Sequence, residues 1–369
     1  MDNAYVGILL NASTYRGIPL GRTQRESLSA YEEAGQEFGV TPCFLQLKDI
    51  QANHPFTMAY VKTKYGYMKK SIPTPKVIHN RAMYFNASAN QQIQKLTKSG
   101  IHIFNQVTRY GKLYIHQLLQ ADPHLLPHLP ETMALTSPHL RMMMNKYDRL
   151  ILKPNSSSLG RGLMKLQFVN GDWFITYPSK KSKGGYRTKP MKTGILPAAV
   201  KTLTAKETYL VQEYIPLAKY QNRPFDLRVS VQRNETGRWQ VTGIIARVAA
   251  GQKFVTNLAR GGHSYTMQKV LSSALPHVSH HTLIQRVHHL TLQIASRLQV
   301  ELPYVADIGL DIGITEDGFP QFIECNGRDA RYSFREAGLL DTWKATFRNP
   351  IGFASYLLQE TESSKSGDT

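Results

Sequence analysis

PQFIECNGRDARYSF, residues 320–334, is the stretch whose reading decides the fold. An apolar, strand-like start is interrupted by Glu324 and Asn326, with Cys325 between them. On a β-strand, residues two apart share a face. Glu324 and Asn326 are therefore expected to present their oxygens in one direction, with Ile323 and Cys325 facing the other. Two hard oxygen donors on one face suit Mg²⁺, which takes oxygen ligands and keeps several waters or phosphates in its shell. A strand leaving the core, with its polar residues meeting water, produces the same triplet. The remainder of the chain has to separate these readings.

Composition sets the outer bounds. A chain of 369 residues with 41% hydrophobic content can form two or three packed units of a globular protein. No apolar run reaches the length needed to span a bilayer. The opening MDNAYVGILLNAS carries Asp2 where a signal peptide carries Lys or Arg, and its apolar part is brief, so it reads as a first strand and implies cytoplasmic synthesis. The two cysteines, Cys43 and Cys325, give no disulfide framework. The formal net charge of +19 attracts acidic surfaces, polyanions or phosphorylated ligands. Zinc-finger spacings and basic-zipper heptads are absent, which argues against nucleic acid as the partner. The densest basic patch, Ser179 to Gly194, has six Lys or Arg and no acid; it reads either as a solvated loop or as an anion-docking lid.

The first third alternates strand-like pieces (YVGILL, PCFLQL, PKVIHN, IHIFN) with helix-like ones, as expected of an open α/β unit ending near Asn105. Next comes a helical stretch from Lys112 to Gln120, followed by strand RLILKP, loop NSSSLGRG and strands LMKLQFV and DWFITY. Strand, loop, strand, strand indicates antiparallel pairing rather than a crossover. FDLRVSVQR and WQVTGIIARVA form an expected hairpin around NETG. Leu283, Val287, Leu290, Ile294 and Leu298 lie on one helical stripe. The resulting expectation is an N-terminal α/β domain over 1–105, a central unit over 106–200, a C-terminal unit over 201–355 and a disordered tail over 356–369.

Several weak signals fall in a telling order. Lys153 ends a strand and is followed by Ser156, Ser157, Ser158, Gly160 and Gly162, small residues whose amides can approach an anion closely. This is not a Walker A motif, because no G-K-[ST] opens a helix. Lys112 precedes Lys153 by 41 positions, YLVQEYI offers backbone groups to a base edge, and FDLRV sets Asp226 and Arg228 on one face. Asp311 in GLDIGI stands 13 positions before Glu324, so an acid on one strand and Glu plus Asn on the next make an oxygen cage for Mg²⁺. The pairs His280/His281 and His288/His289 lack carboxylates at ligand spacing and read as helix surface.

In this order the elements resemble the ATP-grasp superfamily over roughly residues 106 to 350. DLRVSVQ, ARVA, FVTNLARGGHS, GLDIGI and FIECN together resemble ligases that add glutamate to a protein tail and their glutathione-synthetase-like relatives. With LPHLPET and ILKPNSSSLGRG, the whole chain is similar to the YheC/YheD group of endospore-coat-associated proteins. The resemblance implies an α/β (α+β) chain: two α+β subdomains gripping ATP between antiparallel sheets, preceded by an open α/β domain. It implies that Lys112 and Lys153 contact phosphates and that Ser156 to Gly162 form a flap. Gln212, Glu213, Tyr214 and Ile215 would hold adenine, while Asp311, Glu324 and Asn326 would ligate Mg²⁺, with two ions expected. Arg228, Arg247 and Asn257 fall near the transferred phosphate or the acceptor, and Arg328 near a substrate carboxylate. The continuation NGRDARYSF departs from the peptide ligases, and its extra charge at Arg328, Asp329 and Arg331 bears on the substrate rather than on the nucleotide. Three functions fit: a carboxylate–amine ligase, a kinase, and a coat protein that binds ATP without turning it over and docks acidic coat material. Synthesis in the mother cell and association with the endospore coat follow from the same likeness.

Overall fold

The structure is a computed structural model that describes residues 4–157, 160–179, 182, 185–250 and 262–366. Three six-stranded sheets organise it. The first contains β1 (Tyr5–Leu9), β2 (Thr41–Leu45), β3 (Phe56–Thr63), β4 (Gly66–Pro73), β5 (Val77–Asn80) and β6 (His102–Phe104), in the order β4-β3-β2-β1-β5-β6. Its β2-β1-β5-β6 core is parallel, and β3 and β4 add an antiparallel hairpin. The second holds β7 (Thr132–Ala134), β8 (Arg149–Pro154), β9 (Met164–Val169), β10 (Asp172–Pro178), β11 (Tyr186–Met191) and β12 (Tyr209–Glu213). It is antiparallel throughout, in the order β11-β10-β9-β8-β12-β7, as the strand–loop–strand pattern predicts. The third holds β13 (Lys219–Tyr220), β14 (Arg223–Arg233), β15 (Trp239–Val248), β16 (His263–Tyr265), β17 (Asp307–Ile314) and β18 (Pro320–Asn326), with β14 and β17 at its centre.

Helices cover these sheets: α1 (Ala12–Gly17), α2 (Leu28–Phe38), α3 (Ala87–Lys98), α4 (Lys112–Gln120), α5 (Ser137–Lys146), α6 (Ala198–Thr204), α7 (Met267–Ala274), α8 (His280–Glu301), α9 (Tyr332–Glu336) and α10 (Leu340–Ser366). Their starts are set locally, because the side chains of Ser27, Asn86, Thr136 and Ser279 accept backbone N–H groups at the first turns of α2, α3, α5 and α8. Gly39, at φ 65°, ends α2 in the left-handed conformation that glycine adopts without strain. The expected stripe on α8 is buried against the third sheet. No helix among the described residues is long and apolar enough to cross a membrane.

Packing corrects the expected boundaries. Strand β12 pairs with β7 and β8, so the second sheet's unit extends through Glu213 instead of closing at 200. Ile115 and Leu119 of α4 belong to the core of the third sheet. The tail expected to be disordered from 356 is helical to Ser366, with Leu358 buried and Tyr356 and Leu357 packed beside it. ETESSKSGDT lacks apolar residues, but a helix already anchored by Phe347, Ile351 and Phe353 continues as far as Ser366. That helix lies on α2, β1 and β5, so the two ends of the chain share one core.

A buried ionic network ties the first sheet to the third. Arg81, just past β5, contacts Glu26 at 2.9 Å and Asp307 at 3.2 Å and donates to the Asp329 carbonyl at 2.9 Å. Arg331 pairs with Asp307 at 2.6 Å and donates to the Tyr31 hydroxyl at 3.0 Å. Asn105 adds donors to the Asp307 and Gly327 carbonyls. Neighbouring arginines overcome the cost of burial and lower the Glu26 carboxyl to about 2, keeping it ionised.

Candidate functional site

Between the second and third sheets lies an open cleft. Separate segments of the chain wall it, among them Lys112; Ile151, Lys153 and the loop that follows; Gln212 through Ile215; and Ile323 with Glu324. Their convergence is long-range and cannot be read from any one segment.

Lys112 begins α4, and Asn155 fixes that start. The Asn155 carbonyl accepts the Lys112 N–H at 3.1 Å and its side-chain oxygen accepts the Leu113 N–H at 2.9 Å. Gly111 permits this closeness, since a Cβ there would lie 3.0 Å from the Asn155 amide nitrogen. The loop leaving β8 thus caps the helix that carries the other lysine. Lys112 Nζ donates to the Ser157 carbonyl at 2.5 Å and lies 3.6 Å from Glu324 Oε1. Lys153 is only 6% exposed, and its Nζ makes one long hydrogen bond, 3.4 Å, to the Ile323 carbonyl. Burial, then the Lys112 charge, pull its ammonium down from 10.5 to about 7, while Glu324 works in the opposite sense. His116, one turn along α4, is buried and held neutral, at about 4, by desolvation and by the Lys153 charge. It was not singled out from sequence, although an i, i+4 step from Lys112 puts it on the same helix face.

Gln212, Glu213, Tyr214 and Ile215 all line the cleft. Their side chains are committed elsewhere: Gln212 donates to Thr132 Oγ1 at 2.6 Å, and Glu213 accepts the Glu131 N–H at 3.2 Å. Along the same segment the Glu213 and Tyr214 N–H groups donate to the Glu131 and Arg149 carbonyls, at 2.9 and 3.3 Å. The loop is divided. Ser157 and Gly160 line the cleft, whereas Ser156 and Gly162 do not; the Gly162 carbonyl instead accepts the Tyr209 hydroxyl at 3.2 Å. Ser158 and Asn257 lie outside the described residues.

Strand β18 corrects one face assignment. Its pairing with β17 shifts between Asp311 and Ile312: Asp311 faces Glu324 and Ile312 faces Phe322, leaving Ile323 as an extra residue. This β-bulge turns Ile323 into the cleft beside Glu324, while Phe322 and Cys325 enter the core. Strict alternation had placed Ile323 with Cys325. The bulged residue's carbonyl is also the one that Lys153 contacts.

Asp311 sits opposite Glu324 on one side and Arg228 on the other. Its Oδ1 lies 2.7 Å from Arg228 Nη1 and its Oδ2 lies 2.9 Å from Arg247 Nη2. Arg247 also grips Asp226 with two bonds of 2.7 Å. A carboxylate offers about four lone-pair positions, and the two guanidinium contacts leave Asp311 others. Asn326 donates its amide nitrogen to the Gly309 carbonyl at 3.3 Å. Two carboxylates and an amide oxygen across adjacent strands fit a hard divalent cation chemically. No group of three or more His, Cys, Asp or Glu placed to hold a metal ion exists among the described residues, the paired histidines included. Arg328 does not reach the cleft wall; its guanidinium is directed to Glu26, 3.8 Å away in the first domain. Arg328 and Arg331 reach Glu26 and Tyr31 of the first domain, whereas the Asp329 carboxylate faces Arg228 and accepts the Ser230 hydroxyl beside the third sheet.

Comparison with known proteins agrees with this geometry. Residues 100–357 match a family model described as YheC/D like ATP-grasp. The endospore coat-associated protein YheD of Bacillus subtilis (strain 168) is 26% identical over 306 residues, covering 81% of this chain and 66% of YheD, just under two thirds of its length. YheC of the same organism is 25% identical over 303 residues, 80% of each chain. Among solved structures, the ATP-grasp ligase PsnB complexed with a minimal precursor superposes with a TM-score of 0.51 at 14% identity, covering 94% of this chain and all of that one, a likeness of fold alone.

Proposed function

The chain belongs to the YheC/D-like ATP-grasp family, and from that premise we propose that it is an ATP- and Mg²⁺-dependent carboxylate–amine ligase associated with the endospore coat and sporulation. The observation that carries this reading is the convergence of Lys112, Lys153, the 212–215 hinge and Glu324 on one cleft. ATP enters with its adenine against the hinge backbone and its phosphates toward the two lysines. A substrate carboxylate attacks the γ-phosphorus, ADP leaves, and an amine displaces phosphate from the acyl phosphate to give an amide. The protein's work is positioning and charge neutralisation, so no side-chain nucleophile is required. Lys153, poorly solvated and nearly unpaired, gains its counter-charge only when a phosphate arrives. Arg228 and Arg247 stand beside Asp311, where negative charge gathers on the transferring group. Asp311, Glu324 and Asn326 would hold Mg²⁺, which supplies charge stabilisation to the phosphoryl oxygens when bound.

A second reading has one observation in its favour: both Asp311 oxygens are engaged by arginines, as suits a coat protein that binds nucleotide without turnover. Incubation with Mg·ATP and pairs of candidate acids and amines separates the two. ADP and free phosphate that require both an acid and an amine support ligation; phosphate retained on an acceptor indicates a kinase, and binding without turnover supports the second reading. In the Glu324→Ala variant, Mg²⁺-dependent turnover should be lost with the fold retained. Parental turnover would remove Glu324 from the site.

A further inference from the structure

Arg228 is held differently from its neighbour. Arg247 is anchored by two aligned bonds to Asp226. The 2.7 Å contact of Arg228 Nη1 with Asp311 Oδ1 lacks hydrogen-bond alignment, and both atoms are buried without another partner. On its other side, Arg228 Nε lies 3.9 Å from Asp329 Oδ1, which is also fully buried and accepts no hydrogen bond. Asp329 is fixed in place: its Oδ2 accepts the Ser230 hydroxyl at 2.7 Å, and its carbonyl accepts Arg81. Gly309 opens the space between the two groups, since a Cβ there would lie 2.4 Å from Asp329 Oδ1 and 3.0 Å from Arg228 Nη1. An orphaned carboxylate oxygen, a misaligned guanidinium and a glycine that clears the path between them are three independent marks of a vacant seat.

We propose that Asp329 is a positioning residue that receives Arg228: when Asp311 takes a divalent cation, the guanidinium passes from Asp311 to Asp329 Oδ1. The inference rests on the metal reading given above. It follows from charge balance, because a cation on Asp311 repels Arg228, and a buried guanidinium left unpaired is costly. With Asp329 waiting, the displaced charge stays paired and remains beside the reaction centre.

A crystal structure of the full chain with a non-hydrolysable ATP analogue and MgCl₂ tests this directly. The expected result is metal on Asp311 with Arg228 in hydrogen-bond contact with Asp329. Metal on Asp311 with Arg228 still paired to Asp311 overturns the proposal alone; no metal on Asp311 overturns the metal reading and the proposal with it. In solution, the Mg²⁺ concentration that half-maximally enhances analogue binding should rise roughly tenfold in Asp329→Asn, about the worth of one charge-assisted hydrogen bond. Analogue affinity without Mg²⁺ should stay at the parental value. A folded Asp329→Asn protein with the parental Mg²⁺ requirement, or one in which both affinities fall alike, overturns the assignment.

Discussion

Replacing Lys153 with methionine should make the ligand-free protein more stable and cost it its nucleotide. The lysine is buried, its single hydrogen bond is 3.4 Å long, and its nearest ionic influence is another lysine. Lowering its ammonium from 10.5 to about 7 corresponds, at about 1.4 kcal/mol per tenfold, to a destabilisation on the order of 5 kcal/mol. Methionine fills most of the same volume without the charge, at a repacking cost below about 1.5 kcal/mol. A net gain of about 2 kcal/mol or more is expected, visible as a rise of several degrees in Tm. The sign fixes the pH course. Between pH 7 and 10.5 the unfolded chain holds a proton that the folded one has lost, so wild-type stability climbs with pH across that window. The advantage of Lys153→Met is therefore fullest below pH 7 and fades toward pH 10.5. Thermal melts at pH 6 and pH 9, paired with calorimetric titration of an ATP analogue, give both halves of the test. A variant that melts below the parent at pH 6, or whose advantage grows with pH, refutes the reasoning.

The same lysine predicts a proton uptake. Phosphate beside Lys153 raises its affinity for protons, so binding near pH 8 should absorb protons and weaken as pH climbs; equal binding heats in buffers of different ionisation enthalpy would contradict this. Arg331→Leu removes the 2.6 Å partner of a buried carboxylate, Asp307. It should cost about 3–5 kcal/mol in denaturant unfolding, and a parental midpoint would show the pair to be dispensable. Gly162 has a φ of 74°, and an added methyl would lie 2.6 Å from the Tyr209 hydroxyl. Gly162→Ala should lose about 1–3 kcal/mol and weaken analogue binding, whereas unchanged affinity would separate this turn from the site.

The parts of the site that were legible in the sequence are those fixed by local rules. Hinge residues 212–215 run consecutively along one strand end and reach the cleft wall together. Lys153 ends β8 because an apolar run stops there, and Lys112 starts α4 as the helical pattern predicted. What escaped depends on partners distant in sequence. Ile323 reads as a core residue under strict alternation, and only the shifted pairing with β17 reveals the bulge. Arg328 could have faced a substrate or the first domain; the position of Glu26, some three hundred residues away, decides it. Gly162 stands in the small-residue loop, and its carbonyl's partner, the Tyr209 hydroxyl, is 47 positions away. Asp329 was read only as excess charge, because its orphaned oxygen is a property of surroundings that no motif records.

The helix shared by the two chain ends has a consequence for synthesis. Tyr31, Phe44 and Val6 complete their packing against Phe347, Ile351 and Ala354, residues made about three hundred positions later. At about 5–20 residues per second, the first α/β unit waits on the order of 15–60 s with one apolar flank uncovered. During translation that flank is a ready target for holdase chaperones. A truncated product ending before α10 would be expected to collect in aggregates rather than persist as a shortened, folded protein.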